Sequence, residues 1–100
     1  NLQKIILARE LSQNPKFVIA SSPTRGLDIG ATEYIHKRLL ELRDEGVGIL
    51  LVSEDLDEIF NLSDKIAVIY RGNIIGTVPA ERSYFSSIGL MMAGIPSEAV

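Results

Sequence analysis

Phe17-Val18-Ile19-Ala20-Ser21-Ser22-Pro23-Thr24-Arg25-Gly26-Leu27-Asp28 is the stretch whose reading decides the fold. Phe17 to Ala20 form a short, uninterrupted apolar run between turn signals, the pattern of a strand buried on both faces in a parallel sheet. Ser21 to Gly26 are small or turn-forming residues and read as a loop. Asp28 is placed to cap a helix running from about Ile29 to Glu45, since its carboxylate can accept a free amide of the first turn. Ala31, Ile35, Leu39 and Leu42 make the buried stripe of that helix. Glu33, Lys37 and Glu41 sit four apart on the wet side, each pair worth roughly 0.2–0.5 kcal/mol. Gly46 is the expected stop.

The same alternation continues outward in both directions. Leu2, Ile5, Ile6, Ala8 and Leu11 recur at helical steps, predicting a helix over 2–12 that Asn14-Pro15 ends. Ile49 to Val52 form a second apolar strand, and Leu56 to Leu62 a short helix. Ile66 to Tyr70 and Ile74 to Val78 form a hairpin across the tight turn Arg71-Gly72-Asn73. A final helix runs from about Ser83 to Ala93 and stops at Gly94, before Pro96. This order predicts an α/β layered fold, mostly parallel, with right-handed crossovers and the hairpin at one edge. In such sheets function sits at the carboxyl ends of the strands. Two ends matter: Ser21-Ser22, and Ser53-Glu54-Asp55.

Composition narrows the function classes. With 46% hydrophobic residues and a net charge of 10 − 13 = −3, the chain is an ordinary globular domain and not a disordered one. A pI near 5.0 argues against nucleic acid as a partner, because phosphate binding wants clustered Lys and Arg. No apolar run approaches the ~20 residues of a membrane-spanning helix. The absence of cysteine excludes disulfides and thiolate metal sites. Asn1 is followed at once by an apolar-periodic segment, without initiator Met or signal peptide, so residues 1–100 read as a single-domain piece of a longer protein.

Pro23-Thr24-Arg25-Gly26-Leu27-Asp28, directly after a buried strand, resembles the Walker B and D-loop region of ATP-binding cassette (ABC) ATPases. Asn1-Leu2-Gln3-Lys4 resembles the tail of that family's signature motif. Leu51-Val52-Ser53-Glu54-Asp55 lies where the family carries its switch histidine. Ser63-Asp64-Lys65-Ile66-Ala67-Val68-Ile69-Tyr70-Arg71-Gly72 is similar to the strand and hairpin that follow. Four motifs in the right order span residues 1–79. Asn-x-Gln-Lys together with Pro-Thr-Arg-Gly-Leu-Asp-Ile-Gly-Ala looks like the tandem ATPases of simple sugar and nucleoside importers, and like the C-terminal part of their second cassette.

The departures from the pattern carry the most information. A working cassette of this family ends its Walker B strand with Asp, which orients Mg²⁺ through water, and Glu, which polarises the attacking water. Ser21 and Ser22 stand at those positions. A hydroxyl is a weak ligand and no base near neutral pH. Glu54 stands in place of the switch histidine, and its carboxylate would repel a phosphate by ~1–4 kcal/mol at about 4 Å. The phosphate loop needs Gly-Lys followed by Ser or Thr, and none of the eight glycines precedes a lysine. The 100 residues alone are therefore expected to bind no ATP measurably; micromolar binding in calorimetry would contradict this.

The resemblance implies a parent ATPase that uses ATP and Mg²⁺ at its other cassette. Asn1, Gln3 and Lys4 would then serve that site in trans, and Gly26, Leu27 and Asp28 would face the opposing cassette of the same chain. Further partners would be transmembrane permease subunits and, indirectly, a solute-binding protein, at the cytoplasmic face of the cell membrane. Plainer readings stand beside these. Ser21 and Ser22 suit any loop, Asp28 any helix cap, and Glu54 with Asp55 the acidic start of a helix. His36 has no ligand partner in the pattern and reads as a surface or rim residue. Lys37, Arg38 and Arg43 read as a solvated face. Tyr84, Phe85, Met91 and Met92 read as packing or as an exposed Met-rich face for a partner. A stand-alone α/β regulatory module, similar to an anti-sigma-antagonist or receiver domain, is the alternative class; Ser21 would be its phosphosite.

Overall fold

The structure, a computed structural model, describes residues 15–96. The helix expected over 2–12 lies outside the described residues. Two compact units divide after Asp55.

The first unit contains β1 (Phe17–Ser21), α1 (Ile29–Asp44) and β2 (Gly48–Val52). β1 and β2 pair in parallel, with Phe17 opposite Gly48 and Ser21 opposite Val52. The crossover between them is α1, which packs on β2. Its buried residues are Ala31, Ile35, Leu39 and Leu42, the stripe expected from their spacing. Asp28 caps it: its Oδ1 accepts the Ala31 N–H at 2.7 Å. The other end closes in a Schellman arrangement. The Gly46 N–H donates to Arg43 O and the Val47 N–H to Leu42 O, with Gly46 at φ +92°. On the wet side Arg38 reaches Glu41 at 3.7 Å and Glu45 at 3.6 Å.

The expected two-sided burial of these strands does not hold. Residues alternate along both, so that Ala20 is buried while Phe17 and Ile19 are 60% and 67% exposed. Leu50 and Val52 are likewise half exposed, whereas Ile49 and Leu51 are partly covered. A run of four apolar residues has no period to distinguish one covered face from two.

The second unit contains α2 (Leu56–Leu62), β3 (Lys65–Tyr70), β4 (Asn73–Pro79) and α3 (Phe85–Met92), the last entered through a 3₁₀ turn over Arg82–Tyr84. β3 and β4 are antiparallel and form a two-stranded sheet of their own. Tyr70 pairs with Asn73, so Arg71 and Gly72 are the two turn residues. Both are left-handed, φ 50° and 81°, as a type I′ turn requires. A bulge between Val68 and Ile69 lets Gly76 face Val68 and Ile74 face Ile69. α3 packs on β3 and buries Ile88 and Met91, while Ile66, Val68 and Val78 are buried on the hairpin. Phe60 stacks on Phe85 at 5.7 Å, and the Arg82 guanidinium lies 4.9 Å over the Phe60 ring. The last-helix aromatics and methionines thus divide: Met91 is fully buried, and Phe85 and Met92 stay 45% and 44% exposed.

Candidate functional site

The parallel register brings the two expected strand ends to one edge. Ser21 closes β1 opposite Val52, which closes β2. The next residue ties the tips together: the Ser22 N–H donates to Val52 O at 2.7 Å. Glu54 follows Val52 by two positions and is exposed, as is Ser21; Ser22 is half-buried. The Ser53 Oγ accepts the Asp55 N–H at 3.0 Å, a local turn that carries the chain past Glu54. α2 begins at Leu56, and the acids of its first turn are Asp57 and Glu58. Glu54 and Asp55 therefore precede that turn instead of starting it.

The loop from β1 to α1 is braced internally. Pro23 is buried. The Arg25 N–H donates to Ser22 O at 3.2 Å and the Leu27 N–H to Thr24 O at 3.1 Å. Gly26 sits at φ +77°, a conformation costing any other residue roughly 1 kcal/mol or more. Leu27 is partly buried; Gly26 and Asp28 are exposed. Asn1, Gln3 and Lys4 lie outside the described residues. His36 is half-buried on α1.

Chemically, the edge offers hydroxyls from Ser21, Ser22 and Ser53 and carboxylates from Glu54 and Asp55. Among the described residues no three His, Asp or Glu side chains are grouped to hold a metal ion. The β1 end presents only hydroxyls, which are weak magnesium ligands, and the carboxylates of this edge, Glu54 and Asp55, lie after β2.

Two features were invisible in the residue types. Ser22 adopts φ 46°, in the left-handed region. Gly, Asn or Asp would have signalled that conformation; serine does not. Glu58 is a carboxylate only 3% exposed, on α2. Its spacing shows it to be one turn from Leu62, but nothing marks it as buried.

No family model matches the chain. It is 54% identical over 94 residues to the nucleoside import ATP-binding protein NupA of Lactococcus lactis subsp. cremoris, covering 94% of the chain and 19% of the relative. It is 52% identical, over 94% of the chain and 18% of the relative, to the guanosine import ATP-binding protein NupO of Bacillus subtilis. The glucose import ATP-binding protein TsgD13 of Haloferax volcanii is 50% identical, again over 94% of the chain and 17% of the relative. A crystal structure of a nucleotide-free ATP-binding cassette from an ABC transporter superposes with a TM-score of 0.73 at 26% identity, covering 88% of this chain and 35% of that one. The chain is homologous to a part of the ABC import ATP-binding proteins. It spans about a fifth of the length of the curated relatives it matches. Among the described residues, no helix is long and apolar enough to cross a membrane.

Proposed function

We propose that these residues are the C-terminal part of the second cassette of a tandem importer ATPase for nucleosides or simple sugars. The parent protein couples ATP binding and hydrolysis to solute uptake. It works at the cytoplasmic face of the membrane with permease subunits and a solute-binding protein. Hydrolysis belongs to its other cassette, with ATP and Mg²⁺. This cassette has lost its own chemistry and supports that site in trans, through the signature tail Asn1, Gln3 and Lys4 and the loop residues Gly26, Leu27 and Asp28.

One observation carries the reading. Serines end β1 and a carboxylate follows β2, on neighbouring parallel strands bonded tip to tip. No group at the β1 tip can act as a base near neutral pH, and Glu54 opposes phosphate by charge. The names of the similar proteins support nucleosides first and sugars second as the solute class. The exposed apolar face made by Phe17, Ile19, Leu50 and Val52 suits a chain whose remaining elements lie in the longer protein.

The test is made on the full-length ATPase. Removing the catalytic carboxylate of the first cassette is expected to abolish turnover, because no second competent site exists. Turnover that persists in that variant overturns the reading.

A further inference from the structure

We infer that Ser22 is a positioning residue that acts through its backbone, clasping the β1 tip to the β2 tip and thereby setting the path of the loop over 23–28. Both of its main-chain polar groups are engaged. Its N–H donates to Val52 O at 2.7 Å, and its C=O accepts the Arg25 N–H at 3.2 Å. Further bonds follow along the loop and at the start of α1. Thr24 O accepts the Leu27 N–H at 3.1 Å, Asp28 Oδ1 accepts the Ala31 N–H at 2.7 Å, and Asp28 O accepts the Thr32 N–H at 2.9 Å.

The geometry has a cost. At φ 46° a residue with a Cβ is strained by about 1–2 kcal/mol, and such strain persists only where the surroundings over-determine it. Here the surroundings are the two bonds, one to each side. A residue in the ordinary extended region, with its N–H still held by Val52 O, would swing its C=O away from the Arg25 N–H and send the loop along another path.

This inference rests on the reading that the loop faces a competent site on the opposing cassette. Under that reading the position lost its acid side chain while keeping a backbone task. A residue with no catalytic group still governs turnover elsewhere.

Two variants of the full-length protein separate backbone from side chain. Ser22→Val is expected to lower kcat for ATP hydrolysis about tenfold with KM for ATP within about twofold, because a β-branched residue resists the left-handed region. Ser22→Gly, which adopts that region freely, is expected to return kcat to within about twofold of the parent. Combining Ser22→Val with Asp28→Ala should lower kcat little further than Ser22→Val alone, since both act on one loop. A Gly variant as slow as Val shows that the hydroxyl matters and overturns the inference. So does a Val variant with parent kcat.

Amide exchange tests the clasp apart from turnover. In Ser22→Val, exchange at Arg25 and Leu27 is expected to quicken at least about tenfold while β3–β4 stays protected. Unchanged exchange there overturns the clasp. Turnover that survives loss of the first cassette's carboxylate overturns the two-cassette reading instead, and leaves the exchange result to decide the clasp.

Discussion

The parallel pair and the hairpin are made of similar residues, yet they cover themselves differently. β1 and β2 have one helix between them, and Phe17, Ile19, Leu50 and Val52 stay open on the other face. β3 and β4 close through a two-residue turn and have α3 packed on β3. The difference is one of connection. A parallel neighbour must be reached by a crossover, which covers one face and leaves the other for a later element. A hairpin needs only local chain, and Ile66, Val68 and Val78 are buried along it. The hairpin leaves Ile69 and Ile74 exposed, while the unit that carries the candidate site leaves Phe17, Ile19, Leu50 and Val52 open on one face of its parallel pair.

Leu42 and Leu50 break or sharpen this contrast with the largest effect. Leu42 on α1 is fully buried, whereas Leu50 on β2 is 51% exposed. Leu42→Ala is expected to destabilise by about 2–5 kcal/mol and Leu50→Ala by less than about 1 kcal/mol in urea denaturation of the 100-residue chain. In the full-length protein the Leu50→Ala effect should rise toward the Leu42→Ala value, if the open face is covered there. Equal small effects of Leu50→Ala in both would mean that the face remains solvent-exposed in the parent.

The contrast also explains what the residues announced in advance. Element boundaries were legible wherever punctuation was strong. Asp28 and Gly46 bracket α1, Arg71-Gly72 turn the hairpin, and Gly94 ends the last helix. The site edge was legible because a strand end followed by Pro-Thr-Arg-Gly-Leu-Asp is an uncommon string. Three things were not legible. Phe17-Val18-Ile19-Ala20 has no alternation to show which face is covered. Ser22 carries no sign of its left-handed backbone, since that follows from the bonds its neighbours impose. The division after Asp55 is set by which strands bond to which, a property of pairing and not of any one residue.

Gly94 gives the next largest effect, and it belongs to the hairpin unit. It sits at φ +88°, where a Cβ would meet the Tyr70 ring at 2.6 Å. Gly94→Ala is expected to lose about 1–3 kcal/mol, from backbone strain together with the clash. In a Tyr70→Ala background only the strain remains, so the Gly94→Ala effect should fall to about 1 kcal/mol. A loss that is the same in both backgrounds would show that the ring is not what Gly94 makes room for.

The smallest effect compares how the two units start their helices. α1 begins with a side-chain cap, the Asp28 Oδ1 taking the Ala31 N–H at 2.7 Å. α3 begins at Phe85, after a Tyr84 that makes no side-chain cap bond, and follows a 3₁₀ turn in which the Tyr84 N–H donates to Glu81 O at 2.9 Å. A helix entered through a turn has part of its first amides engaged before it starts; one entered from a loop depends on a single carboxylate. Asp28→Ala is accordingly expected to lose about 0.5–2 kcal/mol of stability, and Asp28→Asn to keep most of it, because the amide oxygen can accept the same bond. Thermal unfolding of the two variants checks this. If Asp28→Asn falls as far as Asp28→Ala, the negative charge near the helix start and not the cap bond is what Asp28 contributes, and the two units would differ in electrostatics more than in hydrogen bonding.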